Sequence, residues 1–498
     1  MDENASEVLS MFTVAETLGI FQFESSGMRN FLKELKPTRF NDLIAANSLF
    51  RPGPMNEIPT YIHNKNHPED IKYLHPALKP ILSETYGTIV YQEQVMQIVQ
   101  QLAGFSLGQA DNLRRAMGKK KMDVMEAERK RFIYGEEGAD GEILVEGTLR
   151  KGISAEIANE IYDLMIDFAK YAFNKSHSAA YSLVAMRTAW LKHYYPLEFM
   201  AALMSSVMGN TPQISLYIQE SRRLDLAILP PDVNYSNNKF TVQNEAIRFG
   251  MMAIKNVGGA LIEAIVKARQ AGGLFTDFRE FVERVTAVDS TALNKRGMES
   301  LIKAGAFSSL GYTRSGLMLE YSAVIDSVQN TAKKNVPGQK SLFDIMEEDG
   351  PKPVSEIQYK NHQEYNKKDL LKFEKEVLGV YLTDHPLRPY EEWINKYSNF
   401  TMIDLKEEIS LAEAKWDQKE VTMVGIVESV NKKFTRNNQL MEFVKFEDLY
   451  GMIELIVFPK LYDRYGSLMI EDQVLMVKGR LSLSEMEEPK LIVDKVEE

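Results

Sequence analysis

The sequence predicts a multidomain α+β protein, on three observations. Apolar residues over the first 230 positions recur at helical spacing. Two hairpin-then-helix segments follow, and the last eighty or so positions alternate apolar and polar residues in five short runs. The 498 residues are enough for about three domains.

Residues 1–230 read as mostly helical. Gln92 to Leu102 places Val95, Met96, Ile98, Val99 and Leu102 on one face, as a half-buried helix requires. Ile157 to Phe168 and Ala179 to Leu191 repeat that logic, and Pro196 ends a segment. Pro230-Pro231, followed by Asp232-Val233-Asn234, breaks the pattern and sets the first boundary.

In residues 231–323, Lys239 to Val242 and Ala246 to Gly250 read as a short hairpin. Ile254 to Gly259 then leads into a helix from Ala260 to Arg269. A similar pattern recurs around Leu293 to Ala304, ending at Gly305. Together they have the form of a tandem helix-hairpin-helix pair. Residues 324–360 are polar, with Pro337, Gly338, Gly350, Pro351 and Pro353, which is linker composition. A helical connector spans 361–415.

Strands dominate residues 416–498: Val421 to Val430, Met441 to Phe446, Met452 to Val457, Val474 to Leu483 and Lys490 to Val496. Arg436-Asn437-Asn438 turns between the first two, and Pro459 to Tyr465 is a short helical piece after the third. Five strands with a helix after the third are the signature of an OB-fold, the small oligonucleotide-binding β-barrel.

Composition narrows the chemistry. There is no cysteine, which excludes disulfides, thiolate zinc sites and cysteine nucleophiles. With seven His in the chain, a histidine-based metal site is not expected. No apolar run approaches the about 18 residues of a membrane span, and no basic-then-apolar leader opens the chain, so a cytoplasmic protein without membrane contact is expected.

The net charge is −11, yet Arg114 to Arg131 holds eight Lys/Arg against three acids, Asp123, Glu126 and Glu128. A basic island in an acidic chain points to a localised anion site, for a triphosphate or a nucleic-acid backbone. Its leading part is Leu113-Arg114-Arg115-Ala116-Met117-Gly118-Lys119-Lys120-Lys121. Paired guanidinium forks match phosphate oxygens, and the lysines add charge. The bland alternative is a solvated basic helix face. A Walker loop is excluded, because Gly118-Lys119 lacks the following Ser/Thr.

Phe173 to Tyr181 sets Asn174, Lys175, Ser176, His177 and Ser178 between aromatics. Ser176 or Ser178 is expected to cap a helix and leave amide donors facing an anion, with Lys175 and His177 beside it. A plain helix cap with a packed His is the competing reading. Phe50-Arg51-Pro52-Gly53-Pro54 is a rigid turn presenting Arg51, and Tyr91 to Met96 opens a helix whose polar side chains order a neighbouring loop.

In the hairpin-helix pair, Gly258 and Gly259 let backbone amides approach a duplex phosphate, with Lys255, Lys295 and Arg296 adding charge. Ordinary glycine caps are the alternative there. In the linker, Gln339, Ser341, Leu342 and Phe343 place an apolar pair in a polar stretch, as a partner groove would use. On the first barrel loop, Lys432, Lys433, Phe434 and Arg436 combine charge and an aromatic, suited to a single strand.

Taken together, these motifs resemble the α subunit of bacterial DNA polymerase III, the replicative C-family polymerase. Leu49 to Pro54, Tyr91 to Met96, Leu113 to Lys121 and Phe173 to Tyr181 resemble its fingers, and the likeness runs along essentially the whole chain. It implies fingers at 1–230, a duplex-binding tandem helix-hairpin-helix domain at 231–323, a linker with a clamp peptide at 324–360, a connector at 361–415 and the OB-fold domain at 416–498.

By that resemblance Arg114 and Arg115 hold the incoming dNTP triphosphate, with Lys119, Lys175, His177 and Arg51 as further contacts. Gln339 to Phe343 enters the β sliding clamp. The partners are primer-template DNA, dNTP, the clamp and other polymerase III holoenzyme subunits.

The family's palm, with three aspartates holding two Mg²⁺, has no counterpart here; Asp2, Asp42 and Asp111 lie outside any such motif. No catalytic or metal-ligating residue is therefore assigned. The expectation is a C-terminal portion of the subunit, or one half of a split gene product, inactive alone. Two rivals stand beside it: a stand-alone DNA-binding and clamp-tethering module, and a nucleotide-dependent enzyme using the basic island.

Overall fold

The computed structural model describes residues 5–118, 122–169, 173–334, 362–402, 404–405, 416–435, 437–483 and 489–498. The chain divides into two compact units, one chiefly Met1–His193 and the other chiefly Tyr194–Glu407 with Ala414–Glu498.

The first unit is helical, with one small hairpin of β1 (Glu136–Glu137) and β2 (Ile143–Val145). Two apolar cores lie among its described residues. One gathers Phe12, Phe23, Phe31, Leu43 and Tyr61 from the early helices with Ala185, Met186 and Ala189 of the helix Lys175–Tyr194. The other packs helices Gln92–Ala103, Leu107–Gly118, Met122–Tyr134 and Ala155–Ala169 through Ile98, Val99, Phe132, Ile161 and Tyr162. Val95, Ile98, Val99 and Leu102 are buried as their spacing requires, while Met96 is only partly covered.

The second unit begins with helices Pro196–Ser206 and Thr211–Arg223. A three-stranded sheet follows, in which β5 (Ala246–Arg248) lies between β3 (Ile228–Leu229), parallel, and β4 (Thr241–Gln243), antiparallel. Helices Gly259–Gly272, Phe278–Val288 and Lys295–Lys303 then close over a cluster of Phe275, Phe278, Phe281 and Phe307, with ring centroids 4.9 to 6.2 Å apart. Asp277 and Asn294 cap the second and third of these helices, accepting from Arg279 N at 2.7 Å and Gly297 N at 2.8 Å.

The expected linker differs at its start. Helix Arg314–Lys334 runs straight through positions 324–334, because Val324, Ile325 and Val328 bury an apolar face that composition alone conceals. Gln339, Ser341, Leu342 and Phe343 lie outside the described residues.

The barrel is closed, in the order β10-β8-β7-β6-β9. Its strands are β6 (Glu420–Phe434), β7 (Leu440–Glu447), β8 (Met452–Val457), β9 (Val474–Ser482) and β10 (Lys490–Glu497). Helix Pro459–Tyr465 sits after β8, as the pattern predicts. Gly425 lets β6 pass the ring of Phe446, whose Cε1 a Cβ would meet at 2.6 Å. The first strand runs four residues beyond the expected Val430, so Lys432, Lys433 and Phe434 stand on strand rather than loop; Phe434 still pairs with Leu440. No helix among the described residues is long and apolar enough to cross a membrane.

Candidate functional site

In the first unit, helix Leu107–Gly118 carries Asp111, Arg114 and Arg115 at spacings of three and four, so all three share a face. Arg114 donates Nε and Nη2 to Asp111 Oδ1 at 2.9 and 2.8 Å, and Nη1 to Gln92 Oε1 at 2.9 Å. Arg115 places Nε 2.8 Å from Asp111 Oδ2 and is 65% exposed, against 31% for Arg114. The hydrogen bonds from Arg114, helped by both positive charges, hold the Asp111 carboxyl below the usual carboxylate range.

The rest of the basic island does not act as a unit. Lys119, Lys120 and Lys121 lie outside the described residues. Arg129 is taken up by Asp163 and Glu126, and Arg131 by Glu128 and Glu136.

A single parallel bridge joins Tyr91 to Phe173, with Gln92 N donating to Phe173 O at 2.9 Å and Phe173 N to Val90 O at 3.2 Å. This bridge ties two motifs that are remote in sequence. Gln94 fixes its near side: its Oε1 accepts from Val90 N at 2.8 Å and Tyr91 N at 3.0 Å. The expectation that Tyr91 to Met96 orders a neighbouring loop matches this arrangement.

The expected serine cap is overturned. Helix Lys175–Tyr194 starts one residue before Ser176, so Asn174 occupies the cap position and its Oδ1 accepts from His177 N at 2.8 Å. Ser178 is fully buried and donates to Ile44 O at 2.7 Å. Glu93 already accepts from Lys175 N at 3.0 Å, so a carboxylate sits where an anion was expected.

Around this turn the predicted cations and aromatics interleave. The Arg51 guanidinium lies 4.2 Å over the Phe173 ring and donates Nε to Ser48 O at 2.8 Å. Gly53, at φ 107°, permits the turn that follows. Lys175 Nζ is 2.6 Å from Glu84 Oε1 and 5.3 Å from the Tyr91 ring. His177 is exposed and stacks on Tyr181 at 4.4 Å, and Tyr181 lies 5.3 Å from Phe21. Thus Arg51, Lys175 and His177 surround one turn, which the bridge connects through Gln92 to Arg114.

In the second unit the two hairpin-helix motifs are locked together. Asn256 Nδ2 donates to Ser300 Oγ at 3.2 Å, and Gly297 lies against Asn256 O and Leu261. Lys255, Gly258, Lys295 and Arg296 are exposed. A Cβ at Gly258 would meet none of the described residues within 4 Å, so this glycine clears an outward path instead of relieving a packing clash. Gly259 opens its helix, and Lys295 pairs with Asp326 at 2.8 Å.

On the barrel, Lys432 Nζ lies 3.4 Å from Glu442 Oε1 and 5.4 Å from the Tyr462 ring. Lys433 Nζ sits 4.9 Å from the Phe443 ring, and Phe434 is 70% exposed. Arg436 lies outside the described residues.

The sequence reading missed Asp111 as a partner of Arg114 and Arg115, although its helical offset was available. It also missed Glu84; Gln92 and Glu93 were expected to order a neighbouring loop, but their partners Arg114 and Lys175 lie more than twenty positions away and carry no local signal. His63, on helix Ile58–Asn66, and His67, its C-cap, stand four apart, but they pair with Asp70 at 3.0 Å and Glu69 at 3.5 Å. Among the described residues, no three His, Cys, Asp or Glu side chains gather to hold a metal. Asp42 is bound by Arg39 and Lys65, and Asp111 by the two arginines. These residues do not fit a two-magnesium centre.

Comparison with known proteins agrees along the chain. Residues 1–139 match the bacterial DNA polymerase III alpha subunit finger domain, 225–317 a helix-hairpin-helix motif and 421–498 an OB-fold nucleic acid binding domain. The chain is 40% identical over 495 residues to the DNA polymerase III subunit alpha of Borreliella burgdorferi, across 99% of this chain and 41% of that protein. With that of Treponema pallidum the identity is 38% over 487 residues, covering 98% and 39%. With that of Escherichia coli it is 39% over 483 residues, covering 95% and 40%. The chain therefore spans about two fifths of the length of these curated relatives.

Proposed function

The chain is a homologue of the finger-to-barrel stretch of bacterial DNA polymerase III α subunits, and on that premise we propose that it supplies the nucleotide, duplex and single-strand grips of a replicative DNA-directed DNA polymerase. The observation that carries this reading is the arginine pair: two adjacent guanidiniums fixed by one carboxylate, with Arg115 turned outward. Arg115 and Arg114 bind the triphosphate of an incoming dNTP, while Arg51, Lys175 and His177 flank its sugar and base. Lys119, which lies outside the described residues, is proposed as a further phosphate contact.

Amides at Gly258 and Gly259, with Lys255, Lys295 and Arg296, hold duplex phosphates without reading sequence. Lys433 and Phe434 receive a single strand, with Lys432 beside them and Arg436, outside the described residues, proposed as a further contact. Gln339, Ser341, Leu342 and Phe343 enter an apolar groove of a β sliding clamp. Other holoenzyme subunits are the natural neighbours of such a chain.

Phosphoryl transfer in polymerases uses magnesium held by carboxylates, which stabilises the attacking and leaving oxygens. The transfer itself we assign to the palm that the resemblance implies for the intact subunit. What this chain contributes is positioning and charge.

The test mixes this chain with the palm-bearing part of a relative, primed template, dNTPs and Mg²⁺. Extension is expected from the mixture and from neither part alone. Extension by the repurified chain alone would refute the division of labour. DNA and clamp binding without rescue would point instead to a stand-alone tethering module.

A further inference from the structure

Resting on the nucleotide-grip reading, we infer that Asp111 and Gln92 are positioning residues that preset the Arg114–Arg115 pair before a triphosphate arrives. Three donor–acceptor contacts converge on the Asp111 carboxylate, two from Arg114 and one from Arg115, at 2.8 to 2.9 Å. Gln92 Oε1 takes a third nitrogen of Arg114 at 2.9 Å. Arg114 thus has its Nε–Nη2 edge bound and a second terminal nitrogen engaged. Its orientation is set from two helices at once, Leu107–Gly118 and Gln92–Ala103.

Arg115 is held differently. Only its Nε is bound to Asp111, so among the described residues its Nη1–Nη2 fork remains available, on a side chain that is 65% exposed. A guanidinium held by Nε and presenting its terminal fork suits two phosphate oxygens. The pair therefore divides its work: Arg114 is the fixed member, and Arg115 is the presenting one. Fixing both side chains in advance removes rotamer entropy that binding would otherwise have to overcome.

Positioning by Asp111 and simple electrostatics act on triphosphate binding with opposite sign. Asp111 is a negative charge beside an anion site, so by Coulomb's law alone its removal should tighten triphosphate binding. If Asp111 positions the arginines, its removal should weaken binding. Asp111→Asn keeps the shape but replaces one acceptor oxygen with a donor, so it cannot hold both guanidiniums.

The experiment measures binding of dATP to the full chain by calorimetry, at low and at moderate salt. Wild type, Asp111→Asn, Asp111→Glu, Gln92→Ala and Arg115→Ala are compared, with melting curves and duplex binding as controls of folding. Asp111→Asn is expected to weaken binding roughly tenfold at both salt concentrations, with Asp111→Glu recovering much of the loss. Gln92→Ala should weaken it by a smaller factor, and duplex binding should not change.

Unchanged or tighter binding in Asp111→Asn, with Arg115→Ala weakened, would overturn the positioning role and leave the nucleotide grip standing. An Arg115→Ala chain that binds dATP like wild type, or a wild type that does not bind it, would overturn both.

Discussion

At the residue scale, much depends on which charges are already taken. Of the basic island, Arg114 and Arg115 keep an outward surface, while Arg129 and Arg131 are neutralised by acids within their own unit. Truncating Arg115 to Ala should therefore weaken triphosphate use by about 2–4 kcal/mol, whereas Arg129→Ala should leave it unchanged; steady-state KM for dNTP in the reconstituted mixture checks both.

Two buried groups make predictions about stability. Asp42 is fully buried, and the Thr38 backbone hydrogen bond and the Lys65 charge outweigh its burial to hold its carboxyl below the ordinary value. A depressed folded pKa gives stability that is present above the unfolded value and is lost as pH falls through the folded one. Asp42→Ala should thus cost about 3–5 kcal/mol at neutral pH, read from urea denaturation, and the difference should shrink at strongly acid pH.

Lys33 is the reverse case. Burial, aided by Arg29, brings its ammonium down to about 7, and its Nζ has no hydrogen-bond partner among the described residues. Between that value and its ordinary one the unfolded chain binds the extra proton, so stability should rise with pH from about 7 towards 10. Lys33→Met should raise stability at pH 7 and remove that slope.

At the scale of elements, regular periodicity was legible and its ends were not. The helix at Gln92, the hairpin before Gly258 and the five barrel strands follow directly from apolar spacing. Helix Arg314–Lys334 was hidden because its apolar positions sit among polar ones, and packing rather than composition decides it. Likewise Ser176 and Ser178 are good caps by type, yet Asn174 takes the role because the helix begins at Lys175.

Cap residues are local and testable. Asn294→Ala removes the acceptor for Gly297 N and should cost about 1 kcal/mol, seen as a lower melting temperature, with weaker duplex binding because that helix start is proposed to face phosphate. On the barrel, Glu442 is buried beside Lys432, and burial pushes its carboxyl up. Glu442→Gln should release Lys432 and tighten binding of a single-stranded oligonucleotide, measured by fluorescence anisotropy.

At the scale of the whole molecule, the two units were legible in the sequence to different degrees. The second unit announced itself through strand alternation and turn residues, which are local. The site in the first unit was only half legible: each motif could be seen, but not the Tyr91–Phe173 bridge that unites two of them, since it joins positions more than eighty apart. Asp111 lay within reach of a helical-offset argument. Glu84 and Glu93 did not, because only folding brings them to Lys175.

If duplex DNA is held by several phosphate contacts, its affinity should fall steeply with salt, each contact adding about 0.9 to the log–log slope. A dATP site in the first unit should show a much flatter dependence.

The most direct measurement of the central claim is dATP binding to the wild-type chain beside the Arg114→Ala/Arg115→Ala chain, with both shown to be folded. The account predicts saturable binding in the first and its loss in the second, with duplex binding equal in both. Equal dATP affinity in the two chains would contradict it.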